Sequence, residues 1–83
     1  MKVLKFYAEW CGPCKAMTQI IKNAGDKVTM PIEEVNIDEE LMTSVEYGIR
    51  SVPTMIILDE NNAEVKRQVG AMNESQLLEF LKV

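Results

Sequence analysis

The sequence predicts one small α/β domain, residues 1–83, in which three helices cover a four-stranded mixed sheet in the order β-α-β-α-β-β-α. Three observations lead there. Short β-rich runs alternate with segments of helical periodicity. The strand–helix–strand units are so short that they imply a parallel pair joined by a right-handed crossover. A turn-rich tetrapeptide between two late β-rich runs marks a hairpin. Length sets the bound: 83 residues, 47% of them apolar, fill one compact core and not two. Three prolines, four glycines and 27% charged residues are the composition of a folded chain rather than a disordered one.

Each element has its own signal. Val3 to Ala8 is the first strand and runs straight into Glu9-Trp10-Cys11-Gly12-Pro13-Cys14. Apolar residues then recur at Ala16, Met17, Ile20, Ile21 and Ala24, the spacing of one helix face, which Gly25-Asp26 ends. An extended stretch over residues 28–37 carries Ile32, Val35 and Ile37. Asp38 stands where it would cap a second helix over Glu39–Tyr47, with Gly48 at the left-handed position beyond its end. Thr54–Leu58 is β-rich and uninterrupted, as in a strand buried on both faces. Asp59-Glu60-Asn61-Asn62 turns the chain into a second strand over Glu64–Val69. Asn73 and Gln76 have the spacing of a capping box, and the helix they open directs Leu77, Leu78 and Leu81 to the core.

Charge and composition exclude several functions. Nine basic against thirteen acidic side chains give a net charge of −4, which disfavours general nucleic-acid binding. Without a single histidine there is no His-based triad, His metal ligand or His pH switch. The longest apolar run, Met55-Ile56-Ile57-Leu58, is far too short to cross a membrane. The N-terminal Met1-Lys2-Val3-Leu4-Lys5-Phe6 lacks the apolar stretch of a signal peptide. A cytoplasmic monomer with no nucleic-acid or membrane partner is expected.

The only cysteines, Cys11 and Cys14, lie at the strand-to-helix junction with the spacing C-x-x-C. A structural disulfide would close only a tiny loop and stabilise little. Half a zinc site would lack the rest of its ligands. Two inert buried thiols would be an odd use of cysteines flanking Gly12-Pro13 beside Trp10. Dithiol–disulfide exchange has a definite physical basis instead. Residues i and i+3 of a first helical turn lie about 5–6 Å apart, within disulfide range. Cys11 would sit where unpaired backbone N–H groups and the helix dipole favour a thiolate, the nucleophilic form. Cys14, one turn further in, would resolve the mixed disulfide. Pro13 falls in the first turn, where a missing N–H is harmless, and Gly12 leaves room for a partner chain.

Ala8-Glu9-Trp10-Cys11-Gly12-Pro13-Cys14-Lys15 resembles the active-site signature of thioredoxins. The resemblance continues, in order, through Asn36-Ile37-Asp38, Tyr47-Gly48-Ile49-Arg50-Ser51-Val52-Pro53-Thr54 and Val69-Gly70-Ala71. It implies a minimal thioredoxin-like fold, comparable in size to a glutaredoxin, without the N-terminal strand and helix of full-length members. It implies that Val52-Pro53 is a cis-proline presenting backbone to an extended substrate, where the residues alone would suggest a trans proline opening a strand. It places Gly70-Ala71 at the substrate groove and Trp10 beside the active site.

One departure stands out. Where the family carries a buried aspartate beneath the second cysteine, this chain has Lys5; where it often carries a lysine on the neighbouring strand, this chain has Glu34. Lys5 and Glu34 are therefore expected to pair behind Cys14, with either Glu34 or a neutralised Lys5 relaying its proton, since burial disfavours a charged side chain. The bland alternative is that Lys5 snorkels to solvent and Glu34 is a surface carboxylate. Met72 is either an apolar contact at the groove rim or core filling.

The function expected is reduction of disulfide-containing proteins through the Cys11–Cys14 couple, with no bound cofactor. Electrons would come indirectly from NADPH through a thioredoxin reductase. Two alternatives are a glutaredoxin-like reductant recharged by glutathione and a non-catalytic docking subunit of a larger enzyme.

Overall fold

Side-chain alternation along the first strand decides how the molecule is layered. In the computed structural model, which describes residues 1–83, β1 spans Lys2–Tyr7 and buries four consecutive residues, Val3 to Phe6. Val3 joins one core cluster, Leu4 and Phe6 another, because successive side chains point to opposite faces. Only a strand covered on both sides can do this. β1 is accordingly central: the sheet order is β2-β1-β3-β4, with β2 at Ile32–Asn36, β3 at Thr54–Leu58 and β4 at Glu64–Val69. β1 runs parallel to β2 and antiparallel to β3, and β4 returns antiparallel to β3 as the predicted hairpin. Asp59 Oδ1 accepts the amides of Asn61 and Ala63 to shape that turn.

The helices are α1, Gly12–Ala24, α2, Leu41–Glu46, and α3, Glu74–Phe80. On one face of the sheet Val3, Met55 and Ile57 meet Met17 of α1 with Leu77 and Phe80 of α3. On the other, Leu4, Phe6, Val35 and Ile56 pack with Tyr47 and Ile49 around α2. Each such side chain, fully buried, contributes about 1.5–3 kcal/mol. Met72 is core filling, buried in the first cluster.

The structure corrects one buried position and two boundaries. Ala16 faces solvent rather than the core, while Met17 and Ala24 are buried as expected. The extended stretch narrows to Ile32–Asn36, since a 3-10 turn occupies Gly25–Lys27 and Pro31 has no amide hydrogen to give a ladder. Asp38 does not cap α2. The Asn36 Oδ1 accepts the amides of Asp38 (2.9 Å) and Glu39 (3.3 Å), so a side-chain turn replaces the first predicted helical turn and α2 starts at Leu41. Gly48 does take the left-handed conformation beyond α2, at φ 66°. The capping box at α3 is present as read, Asn73 and Gln76 each accepting the other's backbone amide.

Candidate active site

The site is built where β1 ends and α1 begins. Cys11 is the last residue before the helix, in an extended conformation, and its Sγ accepts the Cys14 amide at 3.1 Å. This sulfur thus takes the place a serine or aspartate oxygen holds at other helix starts. It lies at the positive end of a 13-residue helix. Pro13 sits in the first turn. Cys14 follows one turn later, and the two cysteines form a disulfide with their Cα atoms 5.2 Å apart, within the usual range. Both are almost wholly buried, at 4% and 2% exposure, so they differ little in access.

Distant segments converge on this pair. The Val52-Pro53 peptide bond is cis, and the Val52 carbonyl oxygen lies 3.7 Å from Cys11 Sγ. Gly70, at φ 94°, donates its amide to the Pro53 carbonyl at 2.9 Å, which brings the Gly70-Ala71 loop beside the proline. Gly12 and Pro13, between the two cysteines, are exposed, as is Ala71 in the loop beside the proline. Trp10 is 69% exposed, so it is not a core aromatic; its indole N–H donates to Asp38 Oδ2 at 3.0 Å. The rim is therefore a shallow surface. The largest cavity, about 410 Å³ between β4 and α3, contains neither cysteine.

Behind Cys14 lies the exchanged charge pair. Lys5 and Glu34 are register partners on adjacent parallel strands, and Lys5 Nζ reaches Glu34 Oε2 at 3.1 Å. Lys5 is only 1% exposed and does not snorkel to solvent, whereas the Glu34 side chain is 52% exposed. A narrow cleft of about 100 Å³ is lined by Cys14, Thr18 and Glu34, with Tyr7 and Ala8. Two participants were not expected at this site. Asp38 binds the Trp10 indole instead of capping a helix. Thr18 accepts a hydrogen bond from Lys5 Nζ and donates to the Cys14 carbonyl at 3.2 Å. The i+4 spacing from Cys14 is the signal for Thr18; nothing in the sequence marks Asp38 as a tryptophan partner.

The Thioredoxin family model matches residues 1–83. The chain belongs to the thioredoxin family. It is 38% identical over 81 residues to the thioredoxin of Rickettsia conorii, an alignment covering 95% of this chain and 76% of that one. It is 36% identical over 81 residues to the thioredoxin of Rhodospirillum rubrum, covering 93% of this chain and 75% of the relative. Among solved structures, a mutant thioredoxin from Halobacterium salinarum superposes with a TM-score of 0.87 at 26% identity, covering 98% of this chain and 71% of that one. Reduced thioredoxin pre-protein from Schistosoma mansoni gives 0.86 at 31% identity, covering 98% and 75%. The thioredoxin fold is thus present in its minimal form of four strands and three helices. The protein is a dithiol–disulfide oxidoreductase that reduces partner disulfides through the Cys11–Cys14 couple. Family membership implies disulfide-containing substrates and a thioredoxin reductase as partner, and favours neither glutathione-linked nor purely docking roles.

Proposed function

We propose that Cys11 is the attacking thiolate and Cys14 the resolving one. The observation that carries this is the bond from the Cys14 amide to Cys11 Sγ at the start of α1, which favours negative charge on that sulfur. Cys11 attacks one sulfur of a substrate disulfide and expels the other, which takes up a proton. Cys14 then attacks Cys11, the Cys11–Cys14 disulfide forms, and the second substrate thiol leaves. Two electrons pass from the dithiol to the substrate.

Around this chemistry Trp10, Gly12 and Pro13 form one side of the substrate groove, and Val52, Pro53, Gly70 and Ala71 the other. The cis geometry at Pro53 and the Gly70-to-Pro53 hydrogen bond support that reading. Lys5 and Glu34 form the proton-handling pair behind Cys14. Glu34 is the acceptor, because it lines the same cleft as Cys14, and Lys5 holds it there.

The oxidised protein is recharged from NADPH by a flavin-dependent thioredoxin reductase, which makes it a carrier in cytoplasmic electron transport and redox homeostasis, working as a monomer. No helix is long and apolar enough to cross a membrane. NADPH oxidation in the presence of a bacterial thioredoxin reductase and insulin tests the recharging step. Oxidation that depends on this chain is expected. Silence there, with turnover by glutathione and glutathione reductase, points to the glutaredoxin-like role.

A further inference from the structure

Three elements meet beneath Cys14, and one hydroxyl joins them. Lys5 comes from β1, Glu34 from the facing position of β2, and Thr18 from the second turn of α1. The Lys5 ammonium, buried at 1% exposure, has three hydrogens to place away from water. One goes to Glu34 Oε2 at 3.1 Å and one to Thr18 Oγ1. The Tyr7 ring, centred 5.5 Å from Nζ, covers a further side. Thr18 Oγ1 donates its own hydrogen to the Cys14 carbonyl oxygen at 3.2 Å. Thr18 is therefore bonded both to the ammonium and to the helical turn that carries the resolving cysteine. Remove its hydroxyl, and a buried donor loses its acceptor while the long lysine side chain is free to follow Glu34 toward solvent.

We propose that Thr18 is a positioning residue for the resolving step: it holds the Lys5 ammonium, and with it Glu34, beneath Cys14, where the ammonium favours the Cys14 thiolate and Glu34 takes its proton. This rests on the reading of Lys5 and Glu34 given above. The Cys14 thiol gives its proton to the Glu34 carboxylate across the cleft both line. The thiolate attacks Cys11 Sγ, the bond from Cys11 to the substrate breaks, and the substrate sulfur leaves as a thiolate that takes up a proton from water. The ammonium, joined through Thr18 to the Cys14 carbonyl, sits in a dry site, where its charge is less screened than that of half-exposed Glu34. The other ionisable groups on the cleft are Tyr7, Glu9 and Lys15; the last two are exposed and of opposite sign. Asp38 is engaged by Trp10, and Ile37 and Val52, which also pack on the cysteines, are apolar.

The test uses the Cys11→Ser chain, in which Cys14 is the only thiol and its thiolate absorbance against pH reads the midpoint of ionisation. Adding Thr18→Val is expected to raise that midpoint by about one unit, roughly tenfold less thiolate at neutral pH. Thr18→Ser, which restores the hydroxyl, is expected to leave it in place, and Lys5→Met to raise it as Thr18→Val does. A midpoint unmoved by Thr18→Val overturns the proposal, even if thermal stability falls, since a merely structural hydroxyl would do only that. If Lys5→Met still raises the midpoint in that case, the charge pair survives and Thr18 alone is removed from the mechanism. If neither variant moves it, both readings fall. A shift with Thr18→Val but none with Lys5→Met also overturns the proposal, because Thr18 would not be acting through the ammonium.

Discussion

Cys11 and Cys14 are the same residue type three positions apart, and the helix start makes them chemically unequal. Cys11 receives a backbone amide at its sulfur and Cys14 provides it. That inequality is legible in the sequence because it is local: a strand signal, a C-x-x-C and a helix signal occupy consecutive residues. The Lys5–Glu34 pair is legible only through the family resemblance, since the parallel register that sets the two residues face to face belongs to the fold. Thr18 is marked only by its i+4 spacing from Cys14, because its role needs the rotation of α1 over the sheet, which periodicity fixes only to within a face. Glu34→Gln is expected to slow resolution of a trapped mixed disulfide by about tenfold or more at neutral pH, as loss of a general base does. Stopped-flow release of the substrate thiol across a pH series measures it, and an unchanged pH–rate profile removes Glu34 from the chemistry.

The elements differ in how far their sequences determine them. α3 is announced by its capping box, and Asn73→Ala is expected to lower stability by about 1 kcal/mol in denaturant titration, the usual contribution of such a cap. α2 is read two residues early because a capping residue and a turn-forming residue look alike in sequence. Asn36, not Asp38, captures the free amides, and the competition is decided by which side chain the end of β2 presents. On β4, Arg67 donates to both carboxylate oxygens of Glu64 at 2.8 and 2.7 Å. Those hydrogen bonds hold the Glu64 carboxyl below its ordinary 4.5; partial burial opposes the shift, and the guanidinium charge adds to it. A depressed carboxyl contributes stability that is present above its unfolded value and lost as pH falls through the folded one. Glu64→Gln should therefore narrow the stability difference between neutral pH and acid. The contribution stays below about 1 kcal/mol, since the pair is largely solvated. Equal acid sensitivity in variant and parent would contradict this.

At the scale of the whole molecule, the radius of gyration of 11.9 Å is that of a compact domain of this length, for which about 12 Å is expected. Two thin cores on either side of one sheet leave little redundancy, so single core residues matter. Met17 is fully buried between α1, α3 and the sheet, and its Sδ accepts the Met72 amide at 3.3 Å, just beyond the Gly70-Ala71 loop. Met17→Ala should lower stability by about 2–5 kcal/mol, a large share of the 5–15 kcal/mol typical of such domains. It should also weaken substrate binding, raising KM more than it lowers kcat; a stability loss with KM unchanged would confine Met17 to the core. The layered fold is legible from strand and helix alternation, whereas the meeting of Cys11, Pro53 and Gly70 is legible only through the family resemblance. Cys11, Pro53 and Gly70 are far apart in the chain, and only the sheet order brings them together. The fold is proposed to hold Cys11 and Cys14 as unequal partners in disulfide reduction. Dithiothreitol-driven reduction of insulin by the native chain, Cys11→Ser and Cys14→Ser tests it most directly. Turnover is expected from the native chain, none from Cys11→Ser, and a stable mixed disulfide at Cys11 in Cys14→Ser. A native chain without turnover, or a mixed disulfide trapped on Cys14 instead, would contradict it.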